Sequence, residues 1–147
     1  SREPRAARIF SDATAWGPYR TVVDAALRDA ALADVAERRA SDLSHGQQRQ
    51  LELATVLATR PQVLLLDEPL AGMGHEESLR MIDLLRGLVA SHAILLVEHD
   101  MDAVFSIADV LTVMVNGTVL RTGTPEEIRS SAEVQQAYLG SEEALHV

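Results

Sequence analysis

The apolar positions along the chain fall into two patterns, one with helical spacing and one of short continuous runs. Apolar residues spaced three and four apart predict helices over about Thr21 to Arg39, Gln47 to Thr59 and His75 to Val89. Continuous apolar runs at Val63 to Leu66 and Ala93 to Val97 have the length of strands rather than helices. Because helices and strands alternate along this part of the chain, the pattern predicts an α/β fold.

The segment ahead of the first predicted strand gives the weakest pattern. Residues from Ser1 to about Pro18 show no sustained periodicity, and we expect mostly loop there. The apolar stripe from Thr21 to Arg39 is imperfect. It therefore predicts either one helix or two helices interrupted near Ala33 and Asp34.

A β-hairpin is predicted in the last third of the chain. Two β-rich segments, Val110 to Val115 and Thr118 to Arg121, flank Asn116 and Gly117. An Asn-Gly pair between two such segments is typical of a two-residue hairpin turn.

Two short helices are predicted after this hairpin. The first begins after Thr124, since a threonine cap, a proline at the first position and a glutamate three residues after the cap form a helix-start signal. The second runs from about Glu133 to Leu139 and ends at Gly140. The tail from Ser141 to Val147 is expected to be frayed.

The stretch from Leu43 to Pro69 contains a helix start that is suited to binding an anion. Ser44 can cap the following turn, while Gln47 reaches back to the Ser44 amide. A helix begun in this way points free N–H groups and a positive dipole end outward. Gly46 lets another molecule approach the backbone closely.

Two adjacent carboxylates, Asp67 and Glu68, end the apolar run from Val63 to Leu66. We expect this run to form a strand that is buried on both faces. Paired carboxylates at the end of such a strand favour a metal ligand and a proton acceptor.

Three motifs in this order resemble those of the ATP-binding cassette (ABC) ATPases. LSHGQQ resembles the signature motif, VLLLDEP resembles the Walker B strand, and LLVEHD resembles the strand that ends in the switch histidine. The longer stretches LSHGQQRQLELA, DEPLAGMGHEES and LLVEHDMDAVF, with GTPEEI and QAYLG, are most similar to the ATP-binding subunits of bacterial branched-chain amino-acid importers. The resemblance covers about Ala31 to Gly140.

The resemblance implies ATP and Mg²⁺ as cofactors and a role for individual residues. Asp67 would hold the Mg²⁺ shell, Glu68 would be the general base, and His99 would contact the γ-phosphate. The residues that would close on an ATP held by a second subunit are Ser44, His45, Gly46 and Gln47. The residues that would form the D-loop facing that subunit are Gly72, Met73 and Gly74. His45 stands where many relatives carry glycine, and Gly74 stands where aspartate is frequent.

The family's phosphate-binding loop has no counterpart in this sequence. A loop of the form GxxxxGK[ST] needs a lysine to reach the β- and γ-phosphates, and the chain contains no lysine. No glutamine precedes Gln47, so the Q-loop glutamine is also missing. We therefore expect a C-terminal portion of an ABC ATPase. Residues 1–60 would be a remnant of the helical subdomain ending in the signature helix, and residues 61–147 the C-terminal part of the core, with part of a P-loop NTPase-like parallel sheet and a hairpin.

Charge and composition limit the partners. The 147 residues carry a net charge of −9, which argues against broad electrostatic binding to nucleic acid or to anionic lipid. No apolar run has the length needed to cross a bilayer, so we expect no direct membrane insertion. The absence of cysteine fits a reducing cytoplasm. By resemblance, the partners are a second ATP-binding subunit, identical or not, and permease subunits at the inner face of the cell membrane.

Two other classes remain open from the sequence alone. A chromosome-maintenance or DNA-repair ATPase also carries a signature motif and a Walker B strand in a separate C-terminal lobe. Such a protein is expected to show heptads ahead of the signature and basic DNA-facing residues, which are not seen here. A non-catalytic module that pairs with a transporter subunit and regulates it is the other alternative.

Overall fold

The computed structural model describes residues 17–143. The chain divides into two compact units, one up to Val97 and one from Glu98 onward. Most of the loop predicted for Ser1 to Pro18 lies outside the described residues, as do the last four residues of the predicted tail. The assignment of residues 1–60 and 61–147 to subdomains stays a prediction.

Helices α1 (Gly17–Asp29), α2 (His45–Leu57) and α3 (His75–Val89) lie in the first unit. The bounds of α3 are those predicted, whereas the helix expected from Thr21 to Arg39 ends ten residues early, at Asp29. Ala31 has a φ of +56° and its N–H donates to Arg28, while the N–H of Leu32 donates to Leu27. This is a Schellman-type helix end, which stops α1 and buries Leu32. Short 3₁₀ turns at Ala33–Val35 and Ala40–Asp42 lead into α2.

Strands β1 (Val63–Asp67) and β2 (Ala93–Val97) pair in parallel, in a register that sets Asp67 opposite Val97. The prediction that β1 is buried on both faces is wrong. Leu64 is 1% exposed, but Leu65 next to it is 73% exposed and Leu95 on β2 is 62% exposed. Helices cover one face of this two-stranded sheet. The apolar side chains on the other face, which come from every second residue of each strand, are exposed to solvent.

The core of the first unit lies between α2, α3 and the covered face of β1. It consists of apolar side chains from each of these elements: Leu53, Ala54, Leu57, Leu64, Met81, Ile82, Leu85 and Leu88. The helical spacing of these residues on α2 and α3 gives each helix one apolar face. This packing fixes the direction in which the first turns of α2 and α3 point.

The second unit contains the predicted hairpin. Strands β3 (Leu111–Val115) and β4 (Thr118–Gly123) are antiparallel, and Asn116 and Gly117 between them both have positive φ, as the turn prediction requires. Helices α4 (Met101–Ile107), α5 (Pro125–Arg129) and α6 (Ala132–Glu143) complete the unit.

The starts of the last two helices agree with the sequence, whereas the end of the last helix does not. Asp100 accepts a hydrogen bond from the Ala103 amide as the cap of α4, and Thr124 and Glu127 form the predicted capping box of α5. Helix α6 runs past Gly140, where the sequence predicts an end. A glycine inside a helix costs only about 1 kcal/mol relative to alanine, which does not force a stop.

Candidate functional site

The first turn of α2 holds the residues of the predicted signature motif. The Ser44 amide donates to Gln47 Oε1 at 3.1 Å, and the Gln47 amide donates to Ser44 Oγ at 3.3 Å. This confirms the predicted capping box. Ser44 remains exposed and Gln47 is half-buried, while Gly46 is buried.

The carboxylate of Glu77 lies against this turn. Its Oε1 accepts a hydrogen bond from Ser44 Oγ at 3.0 Å and another from the Gly46 amide at 3.2 Å. A β-carbon at Gly46 would lie 2.8 Å from Glu77 Cδ, so any side chain at this position requires the carboxylate to shift. The donors that the sequence offers to an anion, the Ser44 hydroxyl and the Gly46 amide, thus both donate to a carboxylate of the same chain.

Glu77 is a functional candidate that the sequence analysis missed. It is the third residue of α3, whose cap is Gly74, and a glutamate at this position commonly accepts from the cap amide. That local signal predicts the contact with Gly74 but cannot predict the contact with a turn about 30 positions away.

Hydrogen bonds to Glu77 favour its ionised form. The Ser44 hydroxyl makes the largest contribution to lowering the pKa of Glu77 below its ordinary value, followed by the Gly46 amide, with smaller contributions from the Gly74 amide and the Arg80 guanidinium. Partial burial opposes this shift. The carboxylate is thus charged at neutral pH.

An open cavity of about 400 Å³ lies beside this contact. Its lining comes from α2, α3 and the end of α1: Ala31, Ser44, Gly46, Gln47, Gln50, Glu77, Arg80, Met81, Asp83 and Leu84. The Ser44, Gly46 and Gln47 part of the predicted signature thus borders a space that another molecule can enter.

The predicted D-loop lies next to the signature turn. A β-carbon at Gly72 would be 3.4 Å from Cε1 of His45, and Gly72 has a φ of +73°. The Met73 amide donates to the Leu70 carbonyl at 3.1 Å, and Gly74 forms the cap of α3. The structure therefore brings the backbone of Gly72 close to the ring of His45, and the Gly74 amide to Glu77.

Asp67 and Glu68 stand at the carboxyl end of β1 and are both exposed. Glu68 has a φ of +45°, which is uncommon for a residue with a side chain. Its amide donates to the Val97 carbonyl at 2.9 Å, and its carbonyl accepts from the Ala71 amide at 3.1 Å. These bonds hold the strained turn in place directly after the strand.

The carboxylates at this strand end fit part of a Mg²⁺ site. No group of three or more acidic, histidine or cysteine side chains able to hold a metal occurs in residues 17–143. Mg²⁺ is usually held by one or two carboxylates, with phosphate oxygens and water completing its shell. Asp67, an exposed carboxylate at the end of β1, suits that use.

His99 belongs to the second unit. Its side chain is 76% exposed, and its Nδ1 lies 4.0 Å from Glu98 Oε2, whose side chain is 1% exposed. The His99 amide also donates to that oxygen at 3.2 Å. The buried glutamate thus holds the backbone of His99 and leaves its ring in solvent, ahead of the Asp100 cap.

Family models match both ends of the chain. Residues 4–71 match the model described as ABC transporter, and residues 122–144 match the model described as branched-chain amino acid ATP-binding cassette transporter. The chain belongs to the ABC transporter family. The matches include the signature turn and the carboxylates that follow β1.

The relatives that this chain matches are named as ATP-binding proteins of amino acid transport. It is 46% identical over 111 residues to the high-affinity branched-chain amino acid transport ATP-binding protein LivG of Salmonella typhimurium, covering 74% of this chain and 44% of LivG. It is 44% identical over 116 residues to BraF of Pseudomonas aeruginosa, which has the same description, covering 78% of this chain and 46% of BraF. The chain thus spans less than half the length of these relatives.

Solved structures confirm the fold. An ATP-binding cassette of an ABC transporter superposes with a TM-score of 0.76 at 24% identity, over 93% of this chain and 56% of that one. The protein cbiO1 from Clostridium perfringens, part of the ABC transporter complex cbiONQ, superposes with a TM-score of 0.72 at 32% identity, over 78% of this chain and 47% of that one. None of the described helices is both long enough and apolar enough to cross a membrane.

Proposed function

We propose that this chain is the C-terminal portion of the ATP-binding subunit of an importer for branched-chain amino acids, where it helps to couple ATP hydrolysis to transport. The observation that carries the proposal is the signature turn. At this capped helix start, the Ser44 hydroxyl and the Gly46 amide donate to the same carboxylate oxygen. A γ-phosphate oxygen accepts hydrogen bonds from the same kinds of donor. The similarity to LivG and BraF supports the substrate class.

The signature turn acts on an ATP that a second subunit holds. Its donors lie beside an open cavity, so a phosphate can approach from outside the chain. Two such subunits, identical or not, close around ATP and stabilise the dimer through each other's signature. Closure moves the permease subunits between access states, and hydrolysis releases them.

The carboxylates after β1 serve the ATP of their own subunit. Asp67 contributes a hard oxygen ligand to Mg²⁺, which supplies charge neutralisation at the phosphates when bound. Glu68 orients the attacking water as the general base. His99 contacts the γ-phosphate. Gly72, Met73 and Gly74 meet the second subunit, and the chain resides in the cytoplasm, at the membrane only through its permease partners.

A chimera tests this function. Residues 31–140 replace the corresponding segment of LivG, and the ATPase rate and leucine uptake are measured with the LivG partner subunits. Hydrolysis and uptake are expected to persist and to fall at least about a hundredfold in Glu68→Gln, since a general base contributes that much. Glu76→Gln, an exposed carboxylate elsewhere on the chain, is the control. A folded chimera without ATPase activity contradicts the proposal.

The isolated 147-residue chain is expected to bind Mg-ATP weakly and to hydrolyse it negligibly, because no lysine is present to reach the phosphates. Calorimetric titration of Mg-ATP into the chain and into Glu68→Gln measures this. Tight binding, or turnover that Glu68→Gln abolishes, contradicts it.

A further inference from the structure

Glu77 occupies the donors that the proposed function assigns to a nucleotide phosphate. A single oxygen, Oε1, accepts from both Ser44 Oγ and the Gly46 amide. A carboxylate and a phosphate are both anionic oxygen acceptors, so either one satisfies these donors and the positive end of α2. The carboxylate therefore stands in for a phosphate while no phosphate is present.

The two acceptors cannot be present at once. Glu77 Cδ would lie 2.8 Å from a β-carbon at Gly46, so the carboxylate rests directly on the backbone of the turn. A phosphate oxygen bound to the same N–H would collide with it. The two negative charges would also repel each other at hydrogen-bond distance, where their interaction is strong.

A cationic neighbour of the Glu77 carboxylate lies outside the signature turn. Arg80 lies three residues further along α3, on the same side of the helix, and both residues line the open cavity of about 400 Å³. Arg80 already attracts the charge of Glu77. A change of side-chain rotamer toward Arg80 would free Ser44 and Gly46 without moving either helix.

We propose that Glu77 is a built-in latch, a carboxylate that fills the signature turn in the resting chain and must withdraw before a nucleotide phosphate can bind there. The proposal rests on the proposed function of that turn. Its effect is to lower the apparent affinity of the signature turn for phosphate, which becomes the intrinsic affinity multiplied by the fraction of time that the latch is open. Because Glu77 also accepts from Gly74, its withdrawal alters the start of α3, which follows the D-loop.

Phosphate titration of the isotope-labelled chain tests the latch. Inorganic phosphate is added to ¹⁵N-labelled chain at pH 7, and the amide signal of Gly46 reports occupancy of the turn. If the latch is closed about nine-tenths of the time, Glu77→Gln binds phosphate about tenfold more tightly than the wild type. Glu76→Gln, which removes an equal charge one residue away on the same helix, is expected to leave the affinity close to that of the wild type.

Two results would overturn the latch. One is a Glu77→Gln affinity no tighter than that of Glu76→Gln. The other is no response of the Gly46 signal to phosphate in Glu77→Gln, since a freed turn must then bind an anion.

A second measurement needs no variant at Glu77. In the wild-type chain, the Gly46 amide signal is expected to titrate with Glu77 below the ordinary carboxyl range. The ionisable groups facing this contact are His45 from α2 and Arg80 and Asp83 from α3. Repeating the titration in Asp83→Asn and in Glu77→Gln identifies which change of the Gly46 signal belongs to Glu77. A Gly46 signal that does not move between pH 6 and acid unfolding contradicts the contact.

These measurements use phosphate and no ATP hydrolysis. The latch proposal can therefore be refuted while the chimera still hydrolyses ATP. It can equally be supported while the chimera is inactive. The two proposals are thus tested separately.

Discussion

Ser44 Oγ lies 3.0 Å from Glu77 Oε1, a hydrogen bond that joins the first turns of α2 and α3 across 33 positions of the chain. It links the signature turn to the helix that follows the D-loop. In the proposed function, the signature turn and the D-loop both face the second subunit. A single carboxylate thus joins the signature turn to the start of α3.

Gly46→Ala is expected to destabilise the chain, because the added β-carbon would lie 2.8 Å from Glu77 Cδ and displace the carboxylate. Losing its bond to the Gly46 amide costs about 1 kcal/mol in the free energy of unfolding, measured by urea denaturation. Gly87→Ala on α3 is the matched control, since its β-carbon meets nothing within 4 Å. That variant is expected to be more stable than the wild type by up to about 1 kcal/mol. Equal stability of the two variants would refute the crowding at Gly46.

The stability contributed by Glu77 is expected to depend on pH. The pKa of Glu77 is lowered in the folded chain, mainly by the Ser44 hydroxyl. Its contribution is therefore fully present above the ordinary carboxyl pKa and is lost as pH falls through the lower folded value. Urea unfolding of wild type and Glu77→Gln at a series of pH values measures the difference. The difference in the free energy of unfolding between the two proteins should be constant near neutrality and should narrow in acid. A gap that widens in acid would be evidence against the contact.

The sequence predicts local features of this fold well and distant contacts poorly. The capping boxes at Ser44 and Thr124 and the Asn116-Gly117 turn depend on residues within a few positions, and the structure confirms them. The end of α1 depends on Ala31 taking a left-handed conformation, which alanine does not signal.

The features that the sequence did not predict depend on packing between residues that are far apart along the chain. A continuous apolar run such as Val63 to Leu66 is typical of a strand covered on both sides, yet the described residues of the first unit cover only one side. The contact between Glu77 and Gly46 likewise forms only because α2 and α3 pack together. The motifs identify candidate residues, but they do not reveal which side chain occupies the signature turn.

The open face of the β1–β2 sheet is expected to make the isolated chain self-associate. Val63, Leu65, Leu95 and Val97 are each more than half exposed on it. Exposed apolar patches of this kind favour association. The double variant Leu65→Gln, Leu95→Gln is expected to sediment as a smaller species than the wild type at equal concentration. Leu79→Gln, which changes an exposed leucine on α3, should sediment like the wild type. A monodisperse wild-type monomer at all concentrations would be inconsistent with this account.

The most direct test asks whether the signature turn acts on the partner subunit's ATP. One LivG chimera carries Ser44→Arg and another carries Glu68→Gln, and each is expected to be inactive as a homodimer. In a mixed dimer, the carboxylates of the first chimera meet the intact signature of the second, which leaves one complete site. The account predicts that mixing the two inactive subunits restores ATP hydrolysis, while a chimera carrying both changes restores none. Mixed dimers that form but remain as inactive as either homodimer would contradict it.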